Sequence, residues 1–138
     1  MGGLTHQMRP VPASRALDFL AGCPFGRVVL SERALPAIRL VNHVVEGDAL
    51  VIRTCLEQAV QPGASIVVAY QADAIDPRTR AGWSVVVVGL AERIVDADEI
   101  LHYEQILPSW SVGDVDQVIR IRPRLVTGHE HVLITADA

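Results

Sequence analysis

The segments IRLVNHVV at residues 38–45 and ALVIRT at residues 49–54 decide how this 138-residue sequence folds. Both are short and rich in β-branched residues, and the tripeptide Glu46-Gly47-Asp48 between them is typical of a hairpin turn. Because side chains alternate across a strand, each segment should show two distinct faces. The even positions predict an apolar face toward a barrel interior, with Asn42 as its exception: Ile38, Leu40, Val44, Leu50 and Ile52.

The odd positions predict a mixed outer face made of Arg39, Val41, His43, Val51 and Arg53. The ordinary interpretation is a solvated surface. Solvated strands usually carry Lys, Glu and Thr, however, and these positions have none. Guanidinium groups beside small apolar residues suit a flat ring with a phosphate tail, because guanidinium binds phosphate through paired hydrogen bonds. The residues alone leave both interpretations open.

The rest of the chain predicts a mainly β fold. Further strands are expected at 25–30, 65–71, 83–95 and 118–127, with a bulge or bend at Gly89. Ser14 is expected to cap a helix over 15–21, and Asp96 one that ends by Pro108. Six strands with two or three short helices and no βαβ alternation indicate an antiparallel barrel with peripheral helices. We expect a flexible segment at 1–12, one domain at 13–130 and a tail at 131–138.

Composition excludes several classes of protein. The net charge of −4 without a basic run argues against nucleic-acid binding. Two cysteines outside any CxxC pair fit a cytoplasmic protein, and no apolar run approaches the roughly 20 residues of a membrane span. A mean hydropathy of +0.30 is high for so small a chain, so part of the surface is expected to be buried in a homodimer.

Motifs for several chemistries are missing from the sequence. It has no GxGxxG or GxxxxGK[ST] phosphate loop and no GxSxG serine elbow. Two pairs, Glu99 with His102 and His129 with His131, offer two metal ligands each, fewer than a site normally needs, so no metal is expected. Near the C-terminus, Arg120, Arg122 and Arg124 are predicted to share one side of a strand, as a charged edge or an anion site, with Ile121 and Leu125 on the other.

The order of these motifs resembles a known family. The hairpin ending in Val-Ile-Arg-Thr at 51–54, then GWSVVVVGLA at 82–91, then IRIRP at 119–123 with Thr127-Gly128 is similar to the pyridoxamine 5′-phosphate oxidase-like flavin-binding proteins. The similarity covers about residues 16–128. It implies a split β-barrel, a symmetric homodimer, and FMN bound across the subunit interface for redox chemistry on a small molecule.

The resemblance also implies the site residues. Positions 39–43 would lie along the isoalloxazine ring, Arg53 and Thr54 would approach the phosphate, and Trp83 and Ser84 would complete the site. Trp83 has an equal alternative as a packing residue at the dimer seam. His43 or Arg39 is expected to tune the ring or position the substrate. The residues expected to bind the cofactor are Arg39, Val41, Asn42, His43, Arg53, Thr54, Gln58, Trp83 and Ser84.

One departure from the family pattern bears on the cofactor. Family members often carry a basic residue shortly after the Arg-Thr pair, whereas CLEQAV at 55–60 has none. Losing a charged phosphate partner costs about 1.5–3 kcal/mol. Two alternatives to an FMN-dependent oxidoreductase therefore stay open. One is a deazaflavin-dependent reductase that uses Arg120, Arg122 and Arg124, and the other is a module that holds flavin or haem without turnover.

Overall fold

A computed structural model describes residues 3–55, 60–109 and 116–136. In that part of the chain seven antiparallel strands and two helices form one mainly β domain. The elements in chain order are β1 (Gly3–Val11), α1 (Ala13–Ala21), β2 (Phe25–Glu32), β3 (Leu35–Glu46), β4 (Ala49–Thr54), β5 (Ser65–Ile75), β6 (Gly82–Arg93), α2 (Ala97–Ile106) and β7 (Gln117–Ala136).

The sheet closes into a barrel. Its strand order is β1-β7-β4-β3-β2-β5-β6, and β6 pairs with β7 as well. Both helices lie outside this ring of strands, so the predicted split barrel with peripheral helices is confirmed. Neither helix, in the part of the chain that the structure describes, is long and apolar enough to cross a membrane.

The predicted faces of the β3–β4 hairpin are half wrong, because the turn holds two residues. Glu46 pairs with Ala49, so only Gly47 and Asp48 lie in the turn, and Gly47 has a positive φ of 62°. Odd positions of β3 therefore share a side with even positions of β4, since a shift of one residue exchanges the faces of a strand. Leu50 and Ile52 point into the barrel as predicted. On β3, however, the inward residues are the odd ones.

The exposure of the side chains confirms that the odd residues of β3 point inward. Val41 and His43 are 1% and 4% exposed, whereas Ile38 and Leu40, predicted to point inward, are 61% and 39% exposed. On β4 the outer face is buried as well as the inner one. Val51 is fully buried, but on the outer side, where it packs with Ile94, Tyr103 and other residues under α2.

The face assignment for the last strand changes in a similar way. The predicted irregularity at Gly89 is confirmed, because the β6–β7 register shifts between Val88 and Gly89. Val88 pairs with Leu125 and Gly89 with Pro123, which leaves Arg124 as the extra residue of a bulge. Alternation is reset there. Leu125, predicted on the side of buried Ile121, is 61% exposed.

Residues 3–11 are not the unstructured lead-in that the sequence suggested. They form β1, which pairs antiparallel with Gly128–Ala136, so the predicted C-terminal tail at 131–138 is largely strand as well. Two Gly and two Pro had indicated a flexible segment, because the strand that pairs with β1 lies more than 100 residues away in the sequence. The helix predicted at 15–21 begins earlier, at Ala13, and Pro12 precedes it in place of a capping Ser14. Asp96 caps α2 as expected, accepting from the Glu99 amide.

α1 closes one end of the barrel. Its residues Ala16 and Leu20 have no exposed surface and belong to the main core. Below Ala16 lies Gly128, where an added Cβ would stand 2.6 Å from that side chain. The helix is therefore fixed against β7, and its C-terminal end lies beside the inward-facing residues of β3.

Candidate functional site

In the part of the chain that the structure describes, a gap between β3 and β4 interrupts the barrel wall. The β3–β4 ladder joins residues 43–46 to residues 49–52. Beyond it the strands part: residues 35–42 of β3 pair only with β2 in the described ladder, while Arg53 and Thr54 pair with β7. One edge of β3 is therefore without a strand partner among the described residues.

The backbone groups on this edge can be identified. The His43 amide donates to the Pro24 carbonyl at 3.1 Å, on the β2 side. Because backbone groups of successive strand residues point to opposite sides, the amide and carbonyl of Asn42 and of Leu40 point toward the gap. This edge offers alternating donors and acceptors to a planar ligand or to another chain.

The outer face of the sheet adjoins the gap and carries an apolar row of side chains beside a mixed one. One row across five strands is apolar: Ile38, Val29, Ala69, Val88 and Leu125. Its neighbouring row is mixed: Leu40, Arg27, Gln71, Val86 and Thr127. A shallow cavity of about 200 Å³ lies beside the apolar row, lined by Val67 and Val29 among others. Val67 is the most exposed large apolar residue of these strands, at 68%.

Asn42 and Ser84 are the predicted site residues that this outer face presents. Asn42 donates from Nδ2 to the Pro24 carbonyl at 3.0 Å, which leaves its carbonyl oxygen as an acceptor. Ser84 lies three strands away and makes a 2.8 Å hydrogen bond with His131 Nε2. The structure therefore keeps both side chains at the surface but does not bring them into contact.

His43 and Val41 point the other way, into the core. His43 Nε2 lies 2.7 Å from the Leu20 carbonyl, and its Nδ1 is hydrogen-bonded to the Tyr70 hydroxyl. Burial lowers the pKa of His43 and raises that of Tyr70. Both ring nitrogens have partners inside the protein and burial favours the neutral ring, so this side chain is a structural group.

Arg39 shares the inner side of β3 and is engaged by a carboxylate. Its Nη2 lies 2.8 Å from Glu32 Oε2, and the Glu32 side chain is only 8% exposed. The other oxygen of Glu32 has no hydrogen-bond partner. Removing the guanidinium from a carboxylate so deeply buried would cost about 3–5 kcal/mol. That exceeds the gain from one new phosphate contact, so Arg39 is held by Glu32.

Arg53 is engaged at the end of α2. Nη1 donates to the carbonyls of Glu104 and Leu107 at 3.2 and 3.0 Å. Nε lies 3.1 Å from Asp116 Oδ2, a close ion pair whose geometry is not that of a hydrogen bond. The last turn of α2 has no basic residue of its own. Arg53 supplies the positive charge that a helix C-terminus favours.

The remaining predicted site residues lie around the barrel ends. Thr54 is 6% exposed. The Trp83 ring stacks on Phe19 of α1, with centroids 5.3 Å apart and 8° between the planes. It also packs against the main core, which is a packing role within one chain. Gln58 falls outside the described residues.

The arginines of β7 do not form a common stripe. Arg120 lies 3.4 Å from Glu99 of α2, and Arg122 lies 3.5 Å from Glu92. Arg124 is itself the extra residue of the bulge. Two of the three guanidiniums are therefore paired with carboxylates, and the third does not follow their alternation.

A second cavity opens where the chain leaves α1. It measures about 360 Å³ and is lined by residues 21–24 and 43–45. The Cys23 thiol lies 4.0 Å from His43 Nε2, and burial raises the pKa of that thiol. A raised pKa leaves little thiolate at neutral pH, so Cys23 is a packed thiol rather than a reactive one. No group of three metal-ligating side chains occurs among the described residues.

Arg27, Phe25 and Gln71 belong to the outer face, and the sequence did not single them out. Arg27 Nη1 lies 3.5 Å from Gln71 Oε1, and Gln71 in turn contacts Asp73. Arg27 and Phe25 alternate with buried residues on β2, a pattern visible in the sequence. What places them beside Leu40 and Asn42 is the register of β2 against β3, which could not be read from either strand alone.

Comparison with known proteins places the chain in a family. Across 129 residues it is 43% identical to Rv0080, an uncharacterized protein of Mycobacterium tuberculosis, covering 89% of this chain and 83% of that protein. A candidate pyridoxamine 5′-phosphate oxidase from Corynebacterium glutamicum superposes with a TM-score of 0.72 at 27% identity, over 90% of this chain and 98% of that one. The FAD binding protein from Mycobacterium smegmatis shares the fold, with a TM-score of 0.64 at 23% identity over 88% and 95% of the two chains. The sequence pattern of the pyridoxamine 5′-phosphate oxidase family matches residues 12–130, so the chain belongs to that family.

Proposed function

We propose that this protein binds a flavin, FMN in the first instance, in the gap between β3 and β4. It would transfer hydride or electrons between that flavin and a small molecule, as a homodimer. The observation that carries the proposal is the edge of β3 at Leu40 and Asn42, which has no strand partner among the described residues and borders an apolar outer face. The fold shared with an FAD binding protein supports it.

The chemistry of an isoalloxazine ring matches this edge. One side of the ring carries alternating hydrogen-bond donors and acceptors, and an open strand edge offers the same alternation. Leu40 and the exposed Phe25 supply apolar contact for the ring system. A bound flavin supplies the redox chemistry, and the chain binds and orients it. Backbone groups, rather than the buried side chains of Val41 and His43, are the proposed contacts along β3.

The phosphate of FMN is matched less well than the ring. Arg39 is held by Glu32, and Arg53 by the end of α2 and Asp116. These pairs argue against a long acidic tail even more strongly, as do the paired Arg120 and Arg122. We therefore favour a flavin over a deazaflavin.

A second copy is the proposed cover of the apolar outer face. Exposed apolar residues from five strands adjoin one another there, and patches of this kind mark interfaces. Ile38 and Leu40 belong both to this face and to the strand that borders the gap. A partner laid on the face would therefore approach a ligand in the gap and shield it from water.

Titration with FMN tests the proposal directly. Binding should change the flavin absorbance between about 350 and 500 nm and quench its fluorescence. Leu40→Glu should weaken binding at least tenfold by placing a charge beside the ring. Leu101→Glu is the matched control, because Leu101 is an exposed leucine that belongs to α2 and not to the β3 edge or the outer face. An unchanged spectrum with FMN, or equal losses in both variants, would contradict the assignment.

Turnover is tested separately from binding. An oxidoreductase should be reduced by a nicotinamide donor and reoxidised by a small acceptor such as a quinone. A flavin that dithionite reduces, but that no nicotinamide or small acceptor exchanges electrons with, would indicate a storage or sensing module.

A further inference from the structure

We infer that the protein recognises the flavin ring and not the phosphate, so that riboflavin and FMN bind with nearly equal affinity. This inference rests on the proposed flavin binding and adds a ligand preference to it. It follows from the charge balance at the two arginines that border the gap.

At Arg39 the positive charge is already balanced inside the protein. Glu32 is nine-tenths buried, and one of its oxygens has no other partner. A phosphate that took the guanidinium would leave this carboxylate charged, buried and alone. The neutral pair is therefore the stable arrangement, and little positive potential remains for an anion.

At Arg53 the balance is negative. Asp116, whose side chain is 5% exposed, lies 3.1 Å from Nε, and Glu104 Oε2 lies 3.8 Å from Nη2. Two carboxylates thus face one guanidinium, and Nη1 is occupied by helix carbonyls. A phosphate dianion placed here would meet net negative charge at short range.

The residues that follow Thr54 at 55–60 offer no cation to replace these contacts. The sequence contains no lysine, so its 12 Lys and Arg residues are all arginines. None of these arginines lies at 55–60, the stretch that directly follows Thr54. On the outer face, Arg27 is turned toward Gln71, which itself contacts Asp73. One charged contact to phosphate is worth about one to two decades of affinity, and we expect that increment to be missing.

The test compares riboflavin with FMN by fluorescence titration at low and high salt. We expect dissociation constants within about threefold of each other and little dependence on salt. Glu32→Gln removes the carboxylate charge that holds Arg39 and should raise the preference for FMN to about tenfold. Glu92→Gln is the control, because it removes an exposed partner of Arg122 and should leave the ratio unchanged.

The outcomes are distinct. If neither flavin binds, the proposed function fails and this inference fails with it. If FMN binds at least tenfold more tightly than riboflavin in the unmodified protein, only the inference is overturned. A ratio that Glu32→Gln does not change overturns the claim that the Glu32–Arg39 pair withholds the charge.

Discussion

Tyr70 and His43 form a hydrogen bond inside the barrel between the phenol hydroxyl and Nδ1. The tautomer of His43 follows from the hydrogen bond at its other ring nitrogen, Nε2. Nε2 lies 2.7 Å from the Leu20 carbonyl, which can only accept, so Nε2 carries the proton and Nδ1 accepts from Tyr70. One imidazole thus links α1, β3 and β5, and burial disfavours its charged form.

Stability should therefore fall in mild acid. Burial lowers the pKa of His43 in the folded protein, while the unfolded chain binds this proton near pH 6.5. The stabilisation is complete above about pH 6.5 and is lost as the pH falls through the folded-state pKa. His43→Gln should cost about 1–3 kcal/mol at pH 8, and the difference from the unmodified protein should shrink toward pH 5. Urea unfolding at each pH measures it.

His102→Gln is the control for this prediction. The His102 side chain is 57% exposed and lies 3.9 Å from Glu46, so it lacks the buried setting of His43. Its difference from the unmodified protein should not shrink in acid. If His43→Gln keeps the same cost at pH 5 as at pH 8, His43 is not the acid-sensitive link.

The inward position of His43 is a feature that the sequence did not predict. The strands from β2 onward, the hairpin and an irregularity at Gly89 follow from local composition and were predicted, whereas β1 and the end of β7 were not. Which face of β3 is buried depends on whether the turn holds two residues or three, and Glu46-Gly47-Asp48 permits either. With a two-residue turn the faces exchange, which moves His43 from a predicted ring contact to the core.

Two other features also depended on distant partners. The exposure of Leu125 follows from the extra residue Arg124, which is defined only by pairing with β6. The neutralisation of Arg53 follows from the position of α2, a helix about 50 residues further along the chain. The local sequence pattern predicts the secondary structure of a segment, whereas the exposure of Leu125 and the pairing of Arg53 depend on tertiary contacts.

Gly26 should tolerate no side chain. An added Cβ would lie 2.7 Å from both the Tyr70 hydroxyl and the Gln71 carbonyl oxygen, closer than carbon and oxygen can approach. Gly26→Ala should destabilise the protein by about 1–3 kcal/mol and displace the Tyr70 hydroxyl from His43. Gly3→Ala, with nothing within 4 Å, should change the free energy of unfolding by no more than about 0.5 kcal/mol. Equal effects would refute the close contact.

Arg53 should matter for stability more than for ligand binding. Arg53→Met keeps the aliphatic stem but leaves Asp116 and two helix carbonyls without their cation. We expect a loss of about 1.5–3 kcal/mol with flavin affinity changed less than threefold. Arg122→Met removes an ion pair whose arginine is 58% exposed and should cost under about 1 kcal/mol. Urea unfolding and FMN titration give the two readouts. A large loss of affinity from a stably folded Arg53→Met would return Arg53 to the binding site.

The apolar outer face should be needed for both assembly and binding. Val67→Arg and Leu125→Arg each place a charge on a residue more than 60% exposed, so the isolated chain should fold unchanged. In a homodimer that buries this face, either change should reduce the mass measured by light scattering from twice the 15.0 kDa of one chain to that of a single chain.

Leu101→Arg, on α2, should leave the mass unchanged. Because Ile38 and Leu40 lie both on this face and beside the gap, loss of the dimer should expose the ligand to water and weaken flavin binding together with assembly. A monomer that keeps full flavin affinity would separate the two, and would place the whole binding site within one chain.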